Sequence, residues 1–261
     1  IEPKVEGTFE FHKKTAVFLP QELQPTTIYT VTVKQGLPLA DSSEKLEEDF
    51  VFQFETQETQ EKQIPQGYRL NFYKYVYEYT PDDKPLFQTH YYGWWSDYSF
   101  PEEAEFSIYK YKDANHYIDA LKQRQSIPYW AYNCREHYRE DVSDLEKVGE
   151  LTLPTREYDY MRYYEFPESF SPGYYVVEGD FNNDHRQFWF QVTELGLYAT
   201  VTDNRSLIWV NNLTDGTPVK GAQVKVTDGD TVKTDGSGLA LFDTPQQLGD
   251  GVYAVVTEGA R

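Results

Sequence analysis

Side chains in this chain alternate between apolar and polar at a period of two, in short runs that turn residues keep interrupting. Pro25-Thr-Thr-Ile-Tyr-Thr-Val-Thr-Val33 places Ile28, Thr30 and Thr32 on one face and Tyr29, Val31 and Val33 on the other. Tyr68 to Tyr79 sets Leu70, Phe72, Lys74, Val76 and Glu78 against Asn71, Tyr73, Tyr75, Tyr77 and Tyr79. A helix repeats every 3.6 residues and cannot present such a pattern as one face, so these runs are strands. The same reading predicts strands at Gly7–Phe11, Thr15–Leu19, Phe50–Phe54, Phe106–Tyr111, Tyr160–Phe166, Tyr174–Gly179 and Phe188–Val192. Beyond residue 204 it adds Leu207–Val210, Gln223–Val226, Leu239–Phe242 and Val252–Thr257. Asp-Gly pairs at 215–216, 228–229, 235–236 and 250–251 supply turns that tolerate positive φ. Pro172-Gly173 supplies another. Strands every 8–12 residues with turns between them point to sandwiches or barrels.

Composition agrees. Of 261 residues, 17% are aromatic, with 23 Tyr against one Met. Tyrosine suits half-buried strands, where the ring packs and the phenol reaches water. One segment breaks the pattern. Tyr117, Ile118 and Leu121 fall at helical spacing within Ala114–Arg124, and Asp113 or Asn115 can cap it. Residues 133–149 carry mixed charge and read as a second short helix or a solvated loop. Glu55–Gln66 is rich in Gln, Glu and Thr and reads as a linker.

The length allows two or three domains. The expected division is 1–57, 58–203 with the helical insertion, and 204–261, the first and last incomplete at the outer ends. Four strands in 1–57 and five in 204–261 fall short of the seven or so of an immunoglobulin-like sandwich. The expected fold class is all-β: consecutive immunoglobulin-like sandwich domains with one or two short helices in the middle one.

A net charge of −19 argues against nucleic acid and anionic lipid as partners. No run approaches the ~18 apolar residues of a membrane span. Cys134 is the single cysteine, so no intrachain disulfide forms. A Cys-x-x-His pair, Cys134 with His137, supplies two metal ligands where a site needs more. The other histidines, His12, His90, His116 and His185, show no metal-binding spacing. The acidic loops Gly179–His185 and Asp228–Gly238 lack the spaced ligands and distal Glu of an EF-hand and read as turns. Trp94 and Trp95, beside Tyr91 and Tyr92, are core residues or an aromatic surface for a glycan or peptide. No catalytic, cofactor-binding or metal-ligating residue is assigned, and no enzyme activity is expected.

Three stretches carry a family resemblance. Leu23-Gln-Pro-Thr-Thr-Ile-Tyr-Thr-Val-Thr-Val-Lys-Gln-Gly-Leu37, followed by Phe52-Gln-Phe-Glu-Thr56, looks like the end of a bacterial Ig-like domain. Phe166-Pro-Glu-Ser-Phe-Ser-Pro-Gly-Tyr-Tyr-Val-Val-Glu178 with Gln191–Tyr198 is the second, and Leu207–Val226 with Thr234–Phe242 the third. The last two look like the junction of two macroglobulin-like domains, and all three, in this order, resemble bacterial alpha-2-macroglobulins. The resemblance implies a secreted, cell-surface or periplasmic bacterial inhibitor of endopeptidases. A target protease cuts a bait segment, the domains rearrange, and the protease is enclosed. Its partners would be target proteases, met through the full-length protein, and neighbouring domains of the same chain. Many members carry a thioester in a Cys-x-Glu-Gln run. Here His137 stands where Gln is needed, so bait and thioester are expected outside these residues. The competing readings are an extracellular binding module or adhesin and, more distantly, a glycoside hydrolase. Paired carboxylates arise by chance among 43 acidic residues and do not support that enzyme.

Overall fold

The computed structural model describes residues 1–13, 15–38, 43–58, 69–72, 74–92, 101–159, 161–181, 184–227, 229–244 and 252–258. The chain is all-β, with nineteen strands and two short helices among the described residues. It divides into two compact units. One joins Ile1–Gln63 with Ile127–Tyr138, and the other joins Ile64–Ser126 with Arg139–Arg261.

The first unit holds two antiparallel hairpins. Strand β1 (Gly7–His12) pairs with β2 (Thr15–Pro20), and β3 (Ile28–Val33) pairs with β4 (Phe50–Glu55). The expected alternation decides the second pairing. Tyr29 is buried, faces Phe54 across the ladder with ring centroids 5.4 Å apart, and its hydroxyl accepts the Gln24 N–H.

The second unit contains a sandwich. One sheet has four strands, ordered β10 (Arg156–Tyr158), β11 (Met161–Glu165), β7 (Leu86–Tyr92) and β5 (Arg69–Phe72). The other has five, ordered β6 (Val76–Tyr79), β13 (Asp184–Val192), β12 (Gly173–Phe181), β8 (Glu103–Lys110) and β9 (Glu146–Pro154). The core between them is largely aromatic. Phe87 lies 4.0 Å from Phe188 and 5.1 Å from Phe166, centroid to centroid, while Phe106 meets Tyr164 at 5.2 Å. Each such ring, fully buried, contributes about 1.5–3 kcal/mol.

The run Tyr68–Tyr79 is two strands rather than one. Phe72 ends a strand of the four-stranded sheet, and Tyr77 lies in a strand of the five-stranded sheet. Five positions apart on one strand, they would point to opposite faces. Changing layers between them turns both rings into the same core. Strand β9 is a further difference, since it begins inside the segment read as helix or loop.

Helix α1 (Ala114–Ser126) forms where expected and runs two residues further, with the Asp113 carboxylate accepting the His116 N–H at 3.0 Å. It covers the outer face of the five-stranded sheet. Tyr117 packs on Tyr111 and Tyr174, and the Arg124 guanidinium lies 3.9 Å above the Tyr75 ring. Helix α2 (Tyr132–His137) follows.

The last six strands make a smaller sandwich. Strands β14 (Leu195–Val201), β15 (Arg205–Asn212) and β18 (Leu239–Asp243) form one sheet, and β17 (Thr231–Lys233), β16 (Gln223–Val226) and β19 (Ala254–Thr257) the other. Ala222, Val224 and Val226 face one way, as expected, and are buried with Ile208, Val210 and Ala240. Gly216 takes positive φ in its Asp-Gly turn. At 235–238 the positive φ falls on Gly238 instead of Gly236. The Asp235 carboxylate accepts the N–H groups of Ser237 and Leu239, which moves the tight point of the turn to Gly238. Asp228, Asp250 and Gly251 lie outside the described residues. No helix among the described residues is long and apolar enough to cross a membrane.

Candidate functional site

One carboxylate organises the segment that carries Cys134. In the first unit, Glu55 closes β4 and aims at the start of α2. Its Oε1 accepts the Asn133 backbone N–H at 3.2 Å and the Asn133 side-chain amide at 3.0 Å, and its Oε2 accepts the Cys134 N–H at 3.0 Å. Residue 131, which precedes the helix, is Ala and makes no side-chain cap. Glu55 therefore supplies in trans what a helix start ordinarily takes from its own cap. Burial alone would raise the Glu55 carboxyl, but these donors outweigh it and hold it below the ordinary carboxylate range.

Cys134 is a buried free cysteine. Burial, then the neighbouring Glu55 carboxylate, pushes its thiol up to about 11. Such a thiol is protonated at neutral pH and is a poor nucleophile. His137 sits 3.4 Å from the Glu58 carboxylate.

In the second unit, Glu140 plays the corresponding part just after the insertion. Its Oε2 accepts the Trp189 indole N–H at 3.1 Å and the Tyr111 hydroxyl. Its backbone N–H and C=O are both held by the Gln187 side-chain amide, at 2.7 and 2.9 Å. Trp189 is 1% exposed, so its N–H has to find a partner inside the protein. Burial, then Glu140, raises the Tyr111 phenol well above its ordinary value. Each carboxylate accepts hydrogen bonds from protein donors within its own unit.

The remaining candidates are dispersed. His12 lies 3.1 Å from Glu10, His185 lies 3.4 Å from Asp180, and His116 packs edge-on against Tyr111. Asp235 serves its own turn. Among the described residues no group of three or more His, Cys, Asp or Glu could hold a metal. Trp94 and Trp95, the side chains of His90, Tyr91 and Tyr92, and Asn182, Asn183 and Asp228 lie outside the described residues. Three aromatics not singled out from the sequence lie exposed within one short run. Tyr129, Trp130 and Tyr132, between the helices, are 78%, 41% and 62% exposed. The available signal was their density in Pro128-Tyr-Trp-Ala-Tyr132.

Residues 192–260, which include the whole of the smaller sandwich, match the bacterial alpha-2-macroglobulin MG3 domain. The match covers this C-terminal part of the chain alone. No curated protein matches it significantly. Among solved structures it is similar to native alpha-2-macroglobulin from Escherichia coli spanning domains MG0-NIE-MG1. That likeness has 13% identity and a TM-score of 0.47, over 98% of this chain and 83% of that one. The Escherichia coli structure spanning NIE-MG1 gives 11% identity and 0.47, over 74% and 98%. Salmonella alpha-2-macroglobulin reacted with methylamine gives 13% and 0.42, over 93% of this chain and 14% of that one. Glu55, Cys134 and Glu140 all lie N-terminal to the matched residues.

Proposed function

We propose that the chain is a structural portion of a bacterial alpha-2-macroglobulin that inhibits endopeptidases by enclosing them, outside the cytoplasm, and that it performs no catalysis itself. The observation that supports this most is the MG3 match over 192–260, which coincides with the smaller six-stranded sandwich and its core. Rigid sandwiches of this kind suit walls that move as bodies when a bait segment is cut elsewhere. Glu55 and Glu140 suit the same role, since each holds structural donors inside its own unit.

The test uses the full-length protein. After incubation with trypsin, an enclosing inhibitor leaves hydrolysis of a small chromogenic amide largely intact and suppresses digestion of casein. Equal loss of both activities, or loss of neither, would refute enclosure.

A second reading, a binding module, draws on the exposed rings of Tyr129, Trp130 and Tyr132. Retention on a glycan array or an immobilised peptide, abolished by Tyr129→Ala with Tyr132→Ala, would favour it.

A further inference from the structure

Strand β9 is the outermost strand of its five-stranded sheet among the described residues, and nine residues is long for an edge. Its pairing with β8 shifts register between Ile108 and Tyr109, so that Val148 has no partner across the ladder. A groove of about 460 Å³ lies there, floored by Ile108, Phe170 and Tyr175. Gly149 contributes no side chain to fill it. A Cβ at that position would meet only the Ile108 side chain, at 3.1 Å.

The charges on the rim have a sign. Glu146, Glu150 and Glu168 line the groove. Lys147 pairs with Glu150 at 2.8 Å, whereas no ion pair engages Glu146 or Glu168 among the described residues. The one cation lining the groove, Lys110, lies 3.3 Å from the Ser171 hydroxyl and over the Tyr175 ring. A slot of mixed polarity beside a strand edge left unpaired among the described residues fits an extended chain, with backbone pairing for affinity and pockets for alternate side chains. Carboxylates at its mouth select a cation. With a net charge of −19, a second copy of this chain is disfavoured, and a cationic segment of another polypeptide complements the two carboxylates.

We infer that the β9 edge and its groove bind an extended segment of another polypeptide, pairing with β9 and placing a Lys or Arg side chain between Glu146 and Glu168. The inference does not depend on the proposed inhibitory function.

The probe is a blocked pentapeptide, Val-Arg-Val-Arg-Val, titrated into the isotope-labelled full chain and followed by amide shifts. The expected result is saturable shifts confined to 146–151 and 166–171. Val-Glu-Val-Glu-Val should bind at least tenfold more weakly, and so should the arginine peptide when salt rises from 50 to 200 mM. Glu146→Gln with Glu168→Gln should weaken binding about tenfold. Gly149→Leu should abolish it by filling the slot, with melting temperature reporting whether that variant still folds. Should it unfold, the double variant carries the test. Equal binding of both peptides, shifts at other strands, or no loss in the double variant would overturn the inference. So would sedimentation showing that β9 mediates self-association.

Discussion

The Glu55 carboxylate accepts the backbone N–H of Cys134 at 3.0 Å, tying the end of one strand to the first turn of a helix 79 residues further along the chain. With the two donors on Asn133 it is the acceptor on which the start of α2 rests. Hydrogen bonds to a charged group contribute about 1.5–3 kcal/mol. Glu55→Ala should therefore raise hydrogen exchange at 132–138 by at least tenfold, and Glu55→Gln by less. Unchanged protection in the alanine variant would show that α2 is held by something else.

The same carboxylate sets a pH dependence. Its folded value lies below the ordinary one, so its contribution is complete above the unfolded value of about 4.3. It is lost as pH falls through the lowered folded value. Protection of 132–138 should stay level from pH 7 to about 5 and decline below about 4. In Glu55→Gln that acid limb should disappear.

Cys134 should react slowly. With its thiol pushed up to about 11, the thiolate fraction at pH 8 is roughly a hundredfold below that of a free cysteine. Reaction with an aromatic disulfide reagent should lag by a similar factor, and methylamine should leave the mass of the chain unchanged. Any stabilisation from the neutral thiol is present below about 9 and lost as pH rises towards 11. A fast reaction, or a methylamine adduct, would contradict the burial seen here.

Much of the β architecture was legible because alternation marks a strand wherever one face is buried, as at Tyr29 and along Ala222, Val224 and Val226. Strand β9 escaped because an edge carries charges, here Glu146, Lys147 and Glu150, which erase the apolar signal. The division of Tyr68–Tyr79 escaped because a change of sheet preserves the alternation on either side of it. Glu55 and Glu140 could not be singled out at all. Nothing local distinguishes them from the other acidic residues, and their roles arise from partners 78 and 49 positions away.

Glu140→Ala should destabilise the middle sandwich. It leaves the buried Trp189 indole and Tyr111 hydroxyl without their shared carboxylate, at a cost of about 2–4 kcal/mol. The denaturation midpoint should fall accordingly. A shift within experimental error would mean that the network re-forms without Glu140.

Two glycines in one turn should behave differently. Gly238 has φ +76, and a Cβ there would come within 2.5 Å of the Val210 carbonyl oxygen that faces it. Gly238→Ala should therefore cost at least ~2 kcal/mol. At Gly236 nothing lies within 4 Å of the added carbon, so Gly236→Ala should stay within about 0.5 kcal/mol. The opposite ranking would place the positive φ where the sequence first suggested it.

Enclosure of a protease by the full-length protein is the central proposal, and co-elution tests it most directly. Active trypsin and active-site-blocked trypsin are each mixed with the protein and passed over a size-exclusion column in high salt. Active trypsin should co-elute with the protein, because cleavage triggers closure, while the blocked enzyme should elute alone. Co-elution of both would indicate simple surface binding, and co-elution of neither would contradict the assignment of this chain to a protease-enclosing inhibitor.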